Sequence, residues 1–240
     1  MQPKGKVERV VETYGALPRP SGARQQLSED VAAYVRELII SGSVLPGEFL
    51  RTEPIAAAVG VSNTPVREGL LILAGEGFVE LVPRRGFVVS AFSPQDVRDL
   101  FWAQAAFAGE LAQRAAEKIS EAELDHLREV LDLHQKALER GDHETTVRCG
   151  HDFHRTINLA ADSRRLAMML GGIVKQLPNR FYNDIEGHND DTMEAHPRII
   201  DALASRNGEL AAELMRAHIM SGADELVSQL SKQGLWAESP

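Results

Sequence analysis

Apolar positions along this chain recur in short helical registers at first and in long ones later. From Ser28, which has the chemistry of an N-cap, Val31, Tyr34, Val35, Leu38 and Ile39 fall on one helical face that ends near Ser41-Gly42. Leu45-Pro46-Gly47 signals a turn. Arg51-Thr52-Glu53-Pro54 then opens a short alanine-rich helix, with Thr52 as its N-cap and Pro54 tolerated in the first turn, and Gly60 closes it. Ser62 caps a third helix whose apolar positions are Val66, Leu70, Leu71 and Leu73, and Gly75 and Gly77 stop it. Two short helices about a tight turn form a helix-turn-helix. The apolar runs at 78–82 and 87–89 flank Pro83-Arg84-Arg85-Gly86 and predict a hairpin with a basic tip, the shape of a wing.

Beyond Ser93-Pro94-Gln95-Asp96 the register is helical to about Lys232, with caps at Ser120, Asp142, Ser163 and Asn207. The fold class expected is mainly α: a winged helix-turn-helix of three helices and a β-hairpin wing over 26–92, then an all-α antiparallel bundle over 93–235. Residues 1–25 contain Pro3, Gly15, Pro18, Pro20 and Gly22, too many breakers for a stable element, and are expected to form a flexible arm.

Charge sharpens this division. The chain carries a net −9, yet residues 1–92 hold 10 basic and 10 acidic side chains, so the remainder carries the whole excess. An acidic second half opposes nucleic acid lying across it, whereas a local cluster of arginines in the first half can still meet phosphates. The polar stretch 1–9 lacks an apolar signal core, no run is long and apolar enough to cross a bilayer, and the single Cys149 fits a reducing compartment, so a cytoplasmic location is expected.

A helix-turn-helix sets the start of its second helix into the major groove. Ser62, Asn63, Thr64 and Arg67 occupy that start, and their hydroxyl, amide and guanidinium groups suit phosphate oxygens or base edges. Arg51 at the opening of the preceding helix, and Arg84, Arg85 and Gly86 at the wing, complete the candidate set for double-stranded DNA. In the second half, His154, His196 and His218 stand out among eight histidines. In an antiparallel pair, His196 lies about 10 residues before the turn at Ser205-Arg206-Asn207-Gly208 and His218 about 10 after it, at similar height. Three converging imidazoles suit zinc, nickel or another borderline divalent ion. On spacing alone, three unrelated core or surface histidines explain the pattern better.

The run Ser62-Asn63-Thr64-Pro65-Val66-Arg67-Glu68-Gly69-Leu70, followed by Leu73, Glu76-Gly77-Phe78-Val79 and Arg85-Gly86-Phe87-Val88-Val89, resembles the GntR family of regulators over residues 27–89. Asn63 and Gly69 depart from it, since the family usually has Arg and Ala there. Phe153-His154, His196-Pro197-Arg198-Ile199-Ile200-Asp201-Ala202-Leu203 and the stretch 211–218 resemble the metal-binding FCD effector domain of FadR-like members. That resemblance implies a metal on His154, His196 and His218, with a carboxylate ligand one turn before the first histidine. Gly150 stands at that position, which leaves His151 or Asp152 as alternatives for a fourth ligand, or water or a bound acid. It also implies an Arg and a Glu on the domain's first helix, where this chain has Gln104 and Ala108.

Gln104, Trp102 and Asn158 are therefore candidate effector-pocket residues, and Phe107, Met168, Met169, Phe181 and Tyr182 suggest apolar lining suited to a lipid-like acid, unless they are plain core. The function expected is a homodimeric, ligand-responsive DNA-binding repressor sensing a small organic or fatty-acid-like carboxylate, with no membrane partner. An enzyme built on the histidines has no His-Glu-x-x-His, nucleophile elbow or phosphate-cradling glycine loop behind it. An effector-independent architectural DNA-binding protein is the other alternative.

Overall fold

The computed structural model describes residues 24–177, 190–232 and 236, so the aromatic pair Phe181 and Tyr182 and all of the expected arm but Arg24 and Gln25, which are helical, lie outside the described residues. The chain forms two compact units, one of 1–94 together with 229–240 and one of 95–228.

In the first unit, helices α1 (Arg24–Ile40), α2 (Thr52–Val59) and α3 (Asn63–Gly75) accompany strands β1 (Phe49–Leu50), β2 (Val79–Val82) and β3 (Gly86–Val89). Helix α1 starts before Ser28, because Arg24-Gln25-Gln26-Leu27 are good helix formers, and so Ser28 does not cap it. Its hydroxyl instead donates to Glu68 Oε2 on α3 at 2.8 Å. The cap of α2 is Arg51 rather than Thr52, one residue earlier than expected, and Gly60 ends that helix in the left-handed conformation at φ 76°. Val31, Val35, Ile39, Ile55, Val59, Val66, Leu70 and Leu73 are buried in one core, whereas Leu71, expected on the apolar face of α3, is 53% exposed because it follows Leu70 by about 100° around the helix. At Gly69 the two long helices touch so closely that a Cβ would lie 2.8 Å from the Ser28 carbonyl oxygen and 2.8 Å from Val31 Cγ1.

The sheet has strand order β1-β3-β2, all antiparallel, and pairs Phe49 with Val88 and Val79 with Val89. The wing is thus a hairpin with a third short strand against it. Arg36 of α1, almost wholly buried, binds Glu76 Oε2 at 2.6 Å and lies 5.7 Å from the Phe78 ring centroid. The Phe78 and Phe92 rings are 5.4 Å apart, and the Trp236 indole donates to the Phe92 carbonyl oxygen at 2.7 Å.

Every described element of the second unit is a helix: α4 (Pro94–Lys118), α5 (Glu121–Arg140), α6 (His143–Ala160), α7 (Arg164–Val174), α8 (Asp190–Ala204) and α9 (Gly208–Lys232). Ser120 and Glu123 form a reciprocal capping box at α5, and Asp142 caps α6 by accepting from the Thr145 amide. Asn207 Oδ1 accepts from the Leu210 amide at the start of α9. Helix α5 packs along both α6 and α8. An alanine stripe on α4, with Ala105, Ala108, Ala112, Ala115 and Ala116 buried, lets α9 approach closely. There Arg98 meets Asp224, Gly109 faces Ala212 and Arg216, Gly208 faces Gln113, and Arg206 donates to the Ala116 carbonyl, an antiparallel register. Cys149 is buried, and desolvation raises its thiol pKa.

Candidate functional site

The first unit offers a polar edge. Ser62, Asn63 and Thr64, at the N-terminal end of α3, are exposed, and so is Arg67 one turn on. Pro65 and Val66 between them are buried, which anchors the helix start from below while the polar side chains stay outside. Four backbone N–H groups at a helix start lack intrahelical partners, and they favour anions. Ser62 occupies the N-cap position without making a side-chain cap bond, so its hydroxyl is not used within the helix. Arg51, Arg84 and Arg85 are exposed too, and Gly86 has φ 98°, a conformation suited to glycine.

In the second unit the three singled-out histidines converge from three helices. Nε2 of His196 on α8 and Nε2 of His218 on α9 are 3.1 Å apart, and Nε2 of His218 lies 3.3 Å from that of His154 on α6. With metal–nitrogen distances of about 2.0–2.1 Å, nitrogens on one ion at octahedral or tetrahedral angles lie about 2.8–3.4 Å apart. The three donors, all within 4.8 Å of one another, therefore have the spacing of a shared divalent ion. Packing fixes the rings. His196 is fully buried and stacks on Phe153 with centroids 3.8 Å apart and planes 13° from parallel, while His154 and His218 stack on each other at 5.2 Å.

Neither alternative for a fourth ligand joins this group. Phe153 points to the core, His154 stands at the rim of the buried face, and His151 falls farther around the helix, in solvent. Asp152 faces the other side of α6, where its carboxylate meets His126 of α5 at 3.0 Å. Gly150 occupies the inner position between the core and His154 and offers no side-chain donor.

The candidate pocket residues separate. Gln104 is 2% exposed, and the antiparallel register of α4 against α9 sets it level with His218. Asn158, half-buried, follows His154 by one turn on the same face of α6. Trp102 does not line an interior pocket: it is 67% exposed, at the edge of the face that carries the alanine stripe. Met168 and Met169 on α7 are likewise exposed. A cleft of about 220 Å³ lined by Glu194, Arg198, Leu214, Ala217 and Ser221 opens against His218. His134 was not anticipated; it is buried on α5 with its ring 6.3 Å from that of His196. Its signal was a polar residue on the apolar stripe Leu124, Leu127, Val130 and Ala137.

Residues 27–89 match the family of bacterial regulatory proteins called gntR, and residues 99–221 match the FCD domain. An uncharacterized HTH-type transcriptional regulator in an unstable DNA locus of Streptomyces ambofaciens is 30% identical over 209 residues, covering 82% of this chain and 84% of that protein. The HTH-type transcriptional repressor RspR of Escherichia coli K12 is 24% identical, over 87% of this chain and 92% of its own length. Among solved structures, E. coli McbR/YncC superposes with a TM-score of 0.62 at 23% identity, covering 85% of this chain and 97% of that one, a likeness of fold.

Proposed function

The chain belongs to the gntR family of bacterial regulatory proteins and carries an FCD domain, and from that premise we propose that it is a homodimeric transcription repressor whose helical unit senses a small organic acid through a divalent ion. It is a regulator and not an enzyme, as are the relatives it matches. Ser62, Asn63, Thr64 and Arg67 read double-stranded operator DNA in the major groove, with Arg51, Arg84, Arg85 and Gly86 holding the backbone and the adjoining groove. The exposure of all these side chains but Gly86 supports the assignment.

The observation that carries the sensing half is the convergence of three Nε2 atoms from α6, α8 and α9 at single-ion spacing. His154, His196 and His218 hold the ion, zinc or nickel, and a bound ion of this kind supplies a Lewis acid able to accept a carboxylate oxygen. Because Gly150 contributes no donor, coordination positions are left for water or the effector. Gln104 and Asn158 flank the histidines and present amides, hydrogen-bonding groups without charge. The cleft beside His218 brings the cationic Arg198 to its lining, and its volume of about 220 Å³ suits a small organic acid better than a long acyl chain. The exposed apolar side chains Trp102, Leu159, Met168 and Met169 support a second copy as partner. Among the described residues no helix is long and apolar enough to cross a membrane.

Native mass spectrometry and elemental analysis of protein purified without chelator or tag-derived metal test this directly, beside a His154→Ala, His196→Ala, His218→Ala variant. About one ion per chain, lost in the variant, is expected. Absence of metal from the wild-type protein, together with no gain in thermal stability on adding zinc or nickel, would refute the metal-dependent sensor.

A further inference from the structure

The wing carries two adjacent arginines, and their surroundings differ. The Arg85 guanidinium lies over the Phe49 ring, 4.4 Å from its centroid. Phe49 belongs to β1, which pairs with β3 directly behind the wing tip, with Phe49 opposite Val88. The ring is 39% exposed, so it is a platform at the surface, not a core residue. Arg84 sits elsewhere in the turn. Val82-Pro83-Arg84-Arg85 closes with the Arg85 amide donating to the Val82 carbonyl oxygen at 3.0 Å, with proline at the second position and φ 64° at Arg84 in the third. That is a type II turn, whose third position favours glycine or asparagine, so a bulky arginine is held there in a backbone region it disfavours. Neither arginine forms an ion pair with a carboxylate among the described residues, which leaves both charges available to phosphates.

We infer that Phe49 is a positioning residue for DNA binding, holding the Arg85 guanidinium flat against β1 in a fixed orientation, while Arg84, projected from the strained turn position, is the wing cation that supplies a contact at the expense of turn stability. This rests on the head binding duplex DNA as proposed above. A cation held over a ring loses less side-chain freedom when it binds a phosphate, so the platform acts through Arg85 and touches no nucleotide itself. The arrangement distinguishes Phe49 from a merely apolar residue, because the ring face attracts the cation and an aliphatic side chain of similar size does not.

The test uses the full chain and a labelled mixed-sequence duplex, with anisotropy titrations over a series of potassium chloride concentrations. Absence of duplex binding by the wild-type protein would overturn the DNA-binding assignment itself and is thereby distinguished from failure of this inference. Given wild-type binding, Phe49→Leu is expected to weaken it about two- to five-fold, and Phe49→Tyr, which keeps the ring, to leave it intact. Equal affinity for both variants, or equal loss in both with the fold retained by circular dichroism, would overturn the role of the ring. Arg84→Gly is expected to raise the melting temperature and to flatten the plot of log K against log salt by about 0.9. An unchanged salt slope, or a lowered melting temperature, would overturn the role of Arg84.

Discussion

Replacing Gly69 with alanine sets two known effects against each other. In an unobstructed helix the change stabilises by about 1 kcal/mol, because glycine is the poorer helix former. Here the new Cβ would sit 2.8 Å from the Ser28 carbonyl oxygen, 2.8 Å from Val31 Cγ1 and 2.9 Å from Val31 Cβ. Ordinary carbon contacts begin at about 3.5 Å, so α1 and α3 must separate by roughly 0.7 Å, or shift along one another by a comparable amount. Val31 is 0% and Ser28 4% exposed, so neither can move aside into solvent, and the oxygen belongs to helix backbone. Overpacking of this kind costs about 1–3 kcal/mol. The separation would also stretch the 2.8 Å bond between Ser28 and Glu68, a charge-assisted contact worth about 1.5–3 kcal/mol when intact. A net loss of about 1–2 kcal/mol is expected for Gly69→Ala. Urea unfolding followed by circular dichroism, compared with Gly75→Ala at a position with open space around it, reads the sign. A stability gain at Gly69 equal to the propensity difference would refute the close-contact argument.

Three further outcomes follow from the same structure. Arg36→Met strands the largely buried Glu76 carboxylate and is expected to cost about 3 kcal/mol in urea unfolding, with most of it recovered in the Arg36→Met, Glu76→Gln double variant, since the pair is 8% and 17% exposed. Hydrogen bonds from the Ser120 backbone amide and then its hydroxyl hold Glu123 below the usual carboxylate range, and those of the Thr145 side chain and amide do the same for Asp142. Their contribution is therefore full above the ordinary carboxylate value of about 4 and is lost as pH falls through the lower folded value, so Glu123→Gln and Asp142→Asn should flatten the acid limb of a stability-versus-pH curve. Zinc or nickel at about one hundred times its dissociation constant should stabilise the protein by about 2.7 kcal/mol in thermal melts, and the triple-histidine variant should gain nothing.

Much of the fold was legible because its signals are local. Helical period and the glycine stops outlined the first unit, although Ser28 and Thr52 do not cap their helices, and the capping box at Ser120 and the cap at Asp142 were readable from side-chain chemistry alone. Strand β1 was not, because two residues carry no period and the pairing of Phe49 with Val88 is made across a long stretch of chain. Equal distance from an interhelical turn sufficed to bring His196 and His218 together, since an antiparallel pair preserves height. The fourth-ligand alternatives failed on rotational phase: spacing set His151 near His154, but which flank of α6 meets α5 and which meets solvent depends on packing. Trp102 failed likewise, because an aromatic residue in a helical register does not disclose whether its flank is covered.

The indole of Trp236 has a consequence for how the protein can be divided. It bonds Phe92, and the residues from Gln229 onward group with the N-terminal unit although α9 begins in the other. The head is therefore discontinuous in sequence, and no single scissor cut yields it whole. A fragment ending at Pro94 keeps every side chain proposed above to meet DNA yet lacks the tryptophan, whereas one beginning at Gln95 carries that tryptophan away from its acceptor. Insertions at the head's apparent C-terminal boundary, and tags or truncations at the far end of the chain, thus bear on the same folding unit from opposite ends of the polypeptide.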